Sequence, residues 1–69
     1  MSDAPLPRKL TLDQFMKREG WVGTGGQAKY VIQEGMVRVN GEVDLRRGRQ
    51  MVVGDVVEFE GQRAVVQPD

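Results

Sequence analysis

The chain has no cysteine and no histidine among its 69 residues. The first absence removes disulfide staples and thiolate metal sites, which fits a reducing cytoplasm. The second removes the commonest metal ligand and the usual general base near neutral pH. Long apolar runs are missing as well: none exceeds three residues, whereas a membrane helix needs roughly 20. Aromatic residues are few, only Phe15, Trp21, Tyr30 and Phe59, so a groove of stacking platforms for single-stranded nucleic acid is not expected. Net charge is also lacking. Ten Lys and Arg balance ten Asp and Glu, so the molecule as a whole has no field to draw in a polyanion.

What charge there is falls unevenly. From Leu45 to Val53 stand Arg46, Arg47 and Arg49 with no acid, a local sum of +3. From Asp55 to Asp69, Asp55, Glu58, Glu60 and Asp69 oppose Arg63, a local sum of −3. A neutral protein that grips a polyanion must concentrate positive charge at the contact, and arginine offers planar, paired donors suited to phosphate oxygens. The competing reading is a solubilising loop paired with Glu42 and Asp44, and composition leaves both open.

A chain this short forms one small domain whose core is too thin for a deep enzyme pocket. Residues 1–9, with Pro5 and Pro7 among small polar residues, read as a mobile leader, and residues 10–67 as the domain. Thr11 with Gln14 matches a helix-starting capping box, and Leu12, Phe15 and Met16 follow at i, i+3 and i+4, one apolar helical stripe. Gly20 is a natural stop. The grammar repeats with Thr24 and Gln27, then Ala28, Val31 and Ile32, then Gly35. Two short helices should therefore pack face to face, with Trp21 at their junction. Tyr30 falls off the second stripe and should be partly exposed.

After Gly35 the period changes. Val37 and Val39 alternate with Arg38, and Asn40-Gly41 signals a tight hairpin because both central positions need positive φ. Val43 begins the return strand. Gly54-Asp55 turns the chain, Val56, Val57 and Phe59 make a further strand, and after a turn at Glu60-Gly61 the segment Ala64 to Val66 supplies the last. The class expected is α+β, two helices on a small twisted, mainly antiparallel sheet.

Chemistry has few candidates. Glu42 with Asp44, and Glu58 with Glu60, are spaced i, i+2, which places each pair on one face of a strand. That is better explained as the solvated face of a half-buried sheet than as a catalytic pair. No nucleophile with an adjacent base is recognisable, so no enzyme activity and no cofactor or metal are expected. Gly23, Gly25 and Gly26 around Thr24 precede a helix, and exposed N–H groups there would suit a backbone phosphate. The competing reading is a flexible inter-helix turn whose glycines permit close packing. Lys29 and Arg38 would extend a basic patch if helix two lies beside the first hairpin strand.

Taken in order, Leu12-Asp13, Phe15, Gly20, Thr24, Gln27-Ala28-Lys29, Ile32, Gly35, Val37, Val39-Asn40-Gly41, Val43 and Gly54-Asp55 resemble the S-four-type RNA-binding domain, also called the alpha-L RNA-binding motif. The resemblance covers nearly the whole chain. Gly25-Gly26-Gln27-Ala28-Lys29, with Val39-Asn40-Gly41-Glu42 and Arg46-Arg47-Gly48-Arg49, is similar to its free-standing bacterial branch, small proteins of little more than this domain. It implies RNA held by the second helix, its first turn and the loops beside the hairpin. Carried over, that selects Thr24, Gly26, Gln27, Lys29, Arg38, Arg46, Arg47 and Arg49. Many members carry an arginine where this chain has Gly25, so the burden shifts to Lys29 and the arginine loop. The implied partner is structured RNA, ribosomal or transfer RNA, and with it ribosomal particles, bound without catalysis; the short apolar runs give no expectation of membrane contact, and the sequence leaves the oligomeric state open with a monomer favoured. The rival is a protein-interaction module docking on a ribosome-associated or replication factor.

Overall fold

The computed structural model describes residues 10–68, so the leader expected over residues 1–9 lies outside the described residues. Two helices, α1 (Leu12–Arg18) and α2 (Gly25–Gln33), precede four strands, β1 (Val37–Val39), β2 (Glu42–Val43), β3 (Val56–Phe59) and β4 (Gln62–Val65). The last strand thus begins earlier than the apolar run alone indicated, because β4 pairs with β3 from Gln62 onward.

Both helices start as their residue types dictate. At α1 the Gln14 amide oxygen accepts the Thr11 N–H at 3.1 Å, and the Asp13 carboxylate accepts the Gln14 N–H at 2.8 Å and the Thr11 hydroxyl. At α2 the Thr24 hydroxyl accepts the Gln27 N–H at 3.0 Å, while the Gln27 side chain reaches back to the Gly23 N–H at 2.9 Å. Each satisfies donors that a helix leaves orphaned. At the far end of α2, Gly35 takes φ +80°, a conformation in which only glycine escapes a steric penalty.

The sheet is antiparallel throughout, in the order β2-β1-β3-β4. Asn40 and Gly41 adopt φ 54° and 87°, the double left-handed turn that matches the twist of the flanking strands. Strand alternation sends Val37, Val39, Val57 and Phe59 inward, where they join Leu12, Phe15 and Met16 of α1 and Ala28, Val31 and Ile32 of α2 in one core. Trp21 packs edge-on to Phe15 at 6.0 Å and tilted against Phe59 at 6.4 Å, closing the helix junction.

The sheet order has a consequence for the arginine cluster. β2 and β3 flank β1 on opposite sides and both run against it, so they are parallel to each other. Such strands need a crossover of about a dozen residues, and residues 44–55 provide it. The arginines sit in the middle of this crossover, which the buried Met51 pins to the core.

Candidate nucleic-acid interface

The crossover is tied to α1 through its backbone. The carbonyls of Arg47 and Arg49 accept the N–H groups of Asp13 and Leu12 at 3.1 and 2.9 Å, and Met51 N–H donates to the Leu10 carbonyl at 2.7 Å. The loop carbonyls thus serve orphan donors at the start of α1. A turn at Arg47-Gly48 replaces the extended conformation in which Arg47 and Arg49 would share a side.

Its three arginines have different fates. Arg49 is turned inward: Nε meets Asp44 Oδ2 at 2.9 Å and Nη1 meets Asp55 Oδ2 at 3.0 Å, with the Met51 sulfur 3.5 Å from Nη1. Arg46 is exposed yet forked onto Asp44, Nε to Oδ1 at 3.1 Å and Nη2 to Oδ2 at 3.0 Å. Arg47, exposed at the turn, has no ion pair or side-chain hydrogen bond among the described residues. With Asp44 and Asp55 counted, the local charge is +3 − 2 = +1. The free positive charge is concentrated at Arg47.

Asp44 and Asp55 are nearly buried, which corrects the expectation that Asp44 lies on a solvated strand face. Likewise Glu60 sits in the β3–β4 turn at φ 51° and does not share a strand with Glu58. The hydrogen bond from the Arg46 side chain holds the Asp44 carboxyl below its ordinary value, against the opposing pull of burial. For Asp55 burial pushes upward, but the Val52 N–H, the Asn40 amide and Arg49 together outweigh it, and its carboxyl is also lowered. Asn40 joins the cluster by donating to Asp55 Oδ1 at 3.0 Å while accepting the Val56 N–H at 2.9 Å.

The second group of expected residues lies at the start of α2. Gly25 and Gly26 are helical, and their N–H groups have no acceptor among the described residues. A Cβ on Gly25 would meet nothing within 4 Å, and one on Gly26 only the Thr24 hydroxyl at 4.0 Å. Close packing therefore does not explain these glycines, contrary to the bland expectation. Lys29 is exposed on the same helix. Tyr30, 62% exposed and one turn beyond Gly26, lies off the apolar stripe as its position in the sequence indicated.

The juxtaposition of Lys29 and Arg38 does not form. Arg38 alternates out of the core between Val37 and Val39 and pairs across the sheet with Glu58 and Val43, so it stands on the sheet face turned away from the helices and from Lys29. The start of α2 and the arginine loop are also apart. Gly35, just past the end of α2, lies against Val43 and Leu45 at 3.7 and 4.0 Å for an added Cβ, next to Arg46. Thr24 caps the other end of the nine-residue helix, whose length is about 14 Å at 1.5 Å per residue. The helices accordingly run in opposite directions, with the start of α1 and the end of α2 both bordering the crossover.

The S4 domain family matches residues 8–67. The chain belongs to that family. Among curated relatives, "Probable ribosome maturation protein RlbA" of Bacillus subtilis (strain 168) is 52% identical over 52 residues, 75% of this chain and 73% of that protein. "Putative RNA-binding protein YbcJ" of Escherichia coli (strain K12) is 42% identical over 57 residues, 83% of this chain and 81% of its own length. The solution structure of the E. coli YbcJ protein, described as revealing an alfaL motif involved in RNA-binding, superposes with TM-score 0.64 at 36% identity, covering 97% of this chain and 91% of that one. The 30S ribosomal protein S4e of Thermoplasma acidophilum shares the fold, with TM-score 0.62 at 20% identity over 84% of this chain and 30% of its own. The S4 domain here is thus a small α+β unit. Among its described residues no helix is long and apolar enough to cross a membrane, and no cluster of His, Cys, Asp or Glu is placed to hold a metal ion.

Proposed function

We propose that this S4 domain is a non-catalytic RNA-binding protein that recognises structured ribosomal RNA through its phosphate backbone during ribosome maturation. The observation that carries the reading is a pair of anion-seeking features, one on the crossover that borders the end of α2 and one at the start of that helix, which is about 14 Å long. One is the exposed Arg47 on a loop fastened to α1. The other is the bare start of α2, where Gly25 and Gly26 present N–H groups with no side chain in the way. The positive end of a helix dipole and an arginine fork both favour phosphate oxygens. Their separation suits a stretch of folded backbone rather than a single nucleotide. Lys29 and Arg46 lie nearer to one or the other, and Thr24 retains a hydroxyl hydrogen to donate. The scarcity of exposed aromatics agrees with reading shape over bases. Relatives named for ribosome maturation and RNA binding point the same way.

Titration of the protein with purified bacterial ribosomal RNA, beside single-stranded homopolymer, tests this. Tighter binding to the folded RNA is expected, and equal or absent binding would refute it. A protein-contact reading draws on one observation, the exposed Met36, Val43 and Leu45 beside the crossover. Complexes that survive nuclease treatment would favour it.

A further inference from the structure

We infer that Arg49 is a positioning residue and not an RNA contact: its guanidinium fastens together the two ends of the crossover so that Arg47 is presented at a fixed place. This deepens the RNA reading above and rests on it for its binding arm. The crossover begins at Asp44 and ends at Asp55, and Arg49 is bonded to both, through Nε at 2.9 Å and Nη1 at 3.0 Å. One rigid fork spans two carboxylates from opposite ends of the loop, a task that a lysine, with a single charge centre, does not perform in the same way. With its side chain only 23% exposed, Arg49 has its charge satisfied within the protein and little left to offer a phosphate.

The clasp reaches further through shared atoms. Asp44 also holds Arg46, through its N–H and its guanidinium. Asp55 also takes the Val52 N–H and the Asn40 amide, which ties the crossover to the β1–β2 turn. Between these fixed ends the carbonyls of Arg47 and Arg49 dock on Asp13 and Leu12. Arg47 therefore reaches solvent from a loop held at both ends and in the middle. A loop ordered before binding loses less freedom on binding, which appears as affinity without an added contact.

The test compares Arg49→Lys with Arg47→Ala and Arg47→Lys, using bacterial ribosomal RNA across a salt series and amide hydrogen exchange of the free proteins. Arg49→Ala is set aside as the reporter because it strips the nearly buried Asp55 of its Arg49 ion pair and Asp44 of one of its two arginines, and is the variant most prone to unfold. Arg49→Lys should lower affinity about tenfold at fixed salt while leaving the slope of log K against log salt unchanged, since no phosphate contact is lost. Arg47→Ala should reduce the magnitude of that slope by about 0.7–0.9, and Arg47→Lys should keep it. In the free protein, Arg49→Lys should speed exchange of the Leu12 and Asp13 amides, and Arg47→Ala should not. A slope change in Arg49→Lys like that of Arg47→Ala, or unaltered exchange at Leu12 and Asp13, overturns the inference. The exchange arm needs no RNA, so a wild-type protein that ignored ribosomal RNA would refute the functional reading and leave the clasp to be decided separately.

Discussion

The N–H of Asp13 donates to the carbonyl of Arg47 at 3.1 Å, so the residue that offers the loop's free positive charge is also the one whose backbone starts helix α1. Side chain and backbone of Arg47 serve different ends. Replacing the side chain should leave the helix start in place, whereas moving the loop disturbs both.

Arg47→Ala should therefore melt within about 0.5 kcal/mol of the parent, as surface substitutions do, yet bind RNA more weakly. With Arg49 committed internally, the cations available to phosphate at the proposed surface are Lys29, Arg46 and Arg47. At roughly 0.7 to 0.9 per contact, these give a log–log salt slope of about −2 to −3 in the parent. A salt series by fluorescence anisotropy checks it, and a salt-insensitive complex would show that phosphate contacts do not hold the RNA.

Acid should loosen the crossover first. The carboxyls of Asp44 and Asp55 both lie below their ordinary value of 3.8 in the folded protein, so in the acid window the unfolded chain binds more protons than the folded one. Stability then rises with pH through that window. The contribution is complete above the unfolded pKa and is lost as pH falls through the depressed folded values. Thermal melts should be level from about pH 7 to 5 and fall below about pH 4. Asp55→Asn should lower the plateau and flatten the acid arm. An acid arm as steep as the parent's would place the titration elsewhere.

Tyr30 offers a separate check on how α2 faces its ligand. It is 62% exposed on the turn above Gly26 and contributes little to the core. Tyr30→Ala should change stability by less than about 0.5 kcal/mol. If a splayed base stacks on the ring, the same change should cost about 1–3 kcal/mol of RNA binding, and tyrosine fluorescence should respond to RNA in the parent.

The helices and the first hairpin were legible because their signals are local. The stripe Leu12, Phe15, Met16 and the pair Asn40-Gly41 act on neighbours a few residues away, where period and φ decide the outcome. The clasp was not legible. A charge count from Leu45 to Val53 stops one residue short of Asp44 and two short of Asp55, and only the crossover topology brings both onto Arg49. The same holds for Arg38 and Lys29. Strand alternation showed that Arg38 leaves the core, but the face it leaves by depends on which side the helices cover.

Gly26 gives the sharpest separation of fold from function. Glycine inside a helix is less favourable than alanine by up to about 1 kcal/mol, and here neither positive φ nor a close neighbour compensates, since an added Cβ would meet only the Thr24 hydroxyl at 4.0 Å. The helix itself thus gives no reason for glycine at this position. Gly26→Ala should accordingly raise the melting temperature by a few degrees, at about 4–8 °C per kcal/mol for a domain of this size. If RNA backbone seats against the start of α2, the new methyl group stands in its way, and affinity should fall about tenfold, or 1.4 kcal/mol. Stability and binding would then move in opposite directions in one variant. Both rising together, or binding unchanged in the stabilised protein, would remove the start of α2 from the interface and leave Arg47 and its neighbours to carry it.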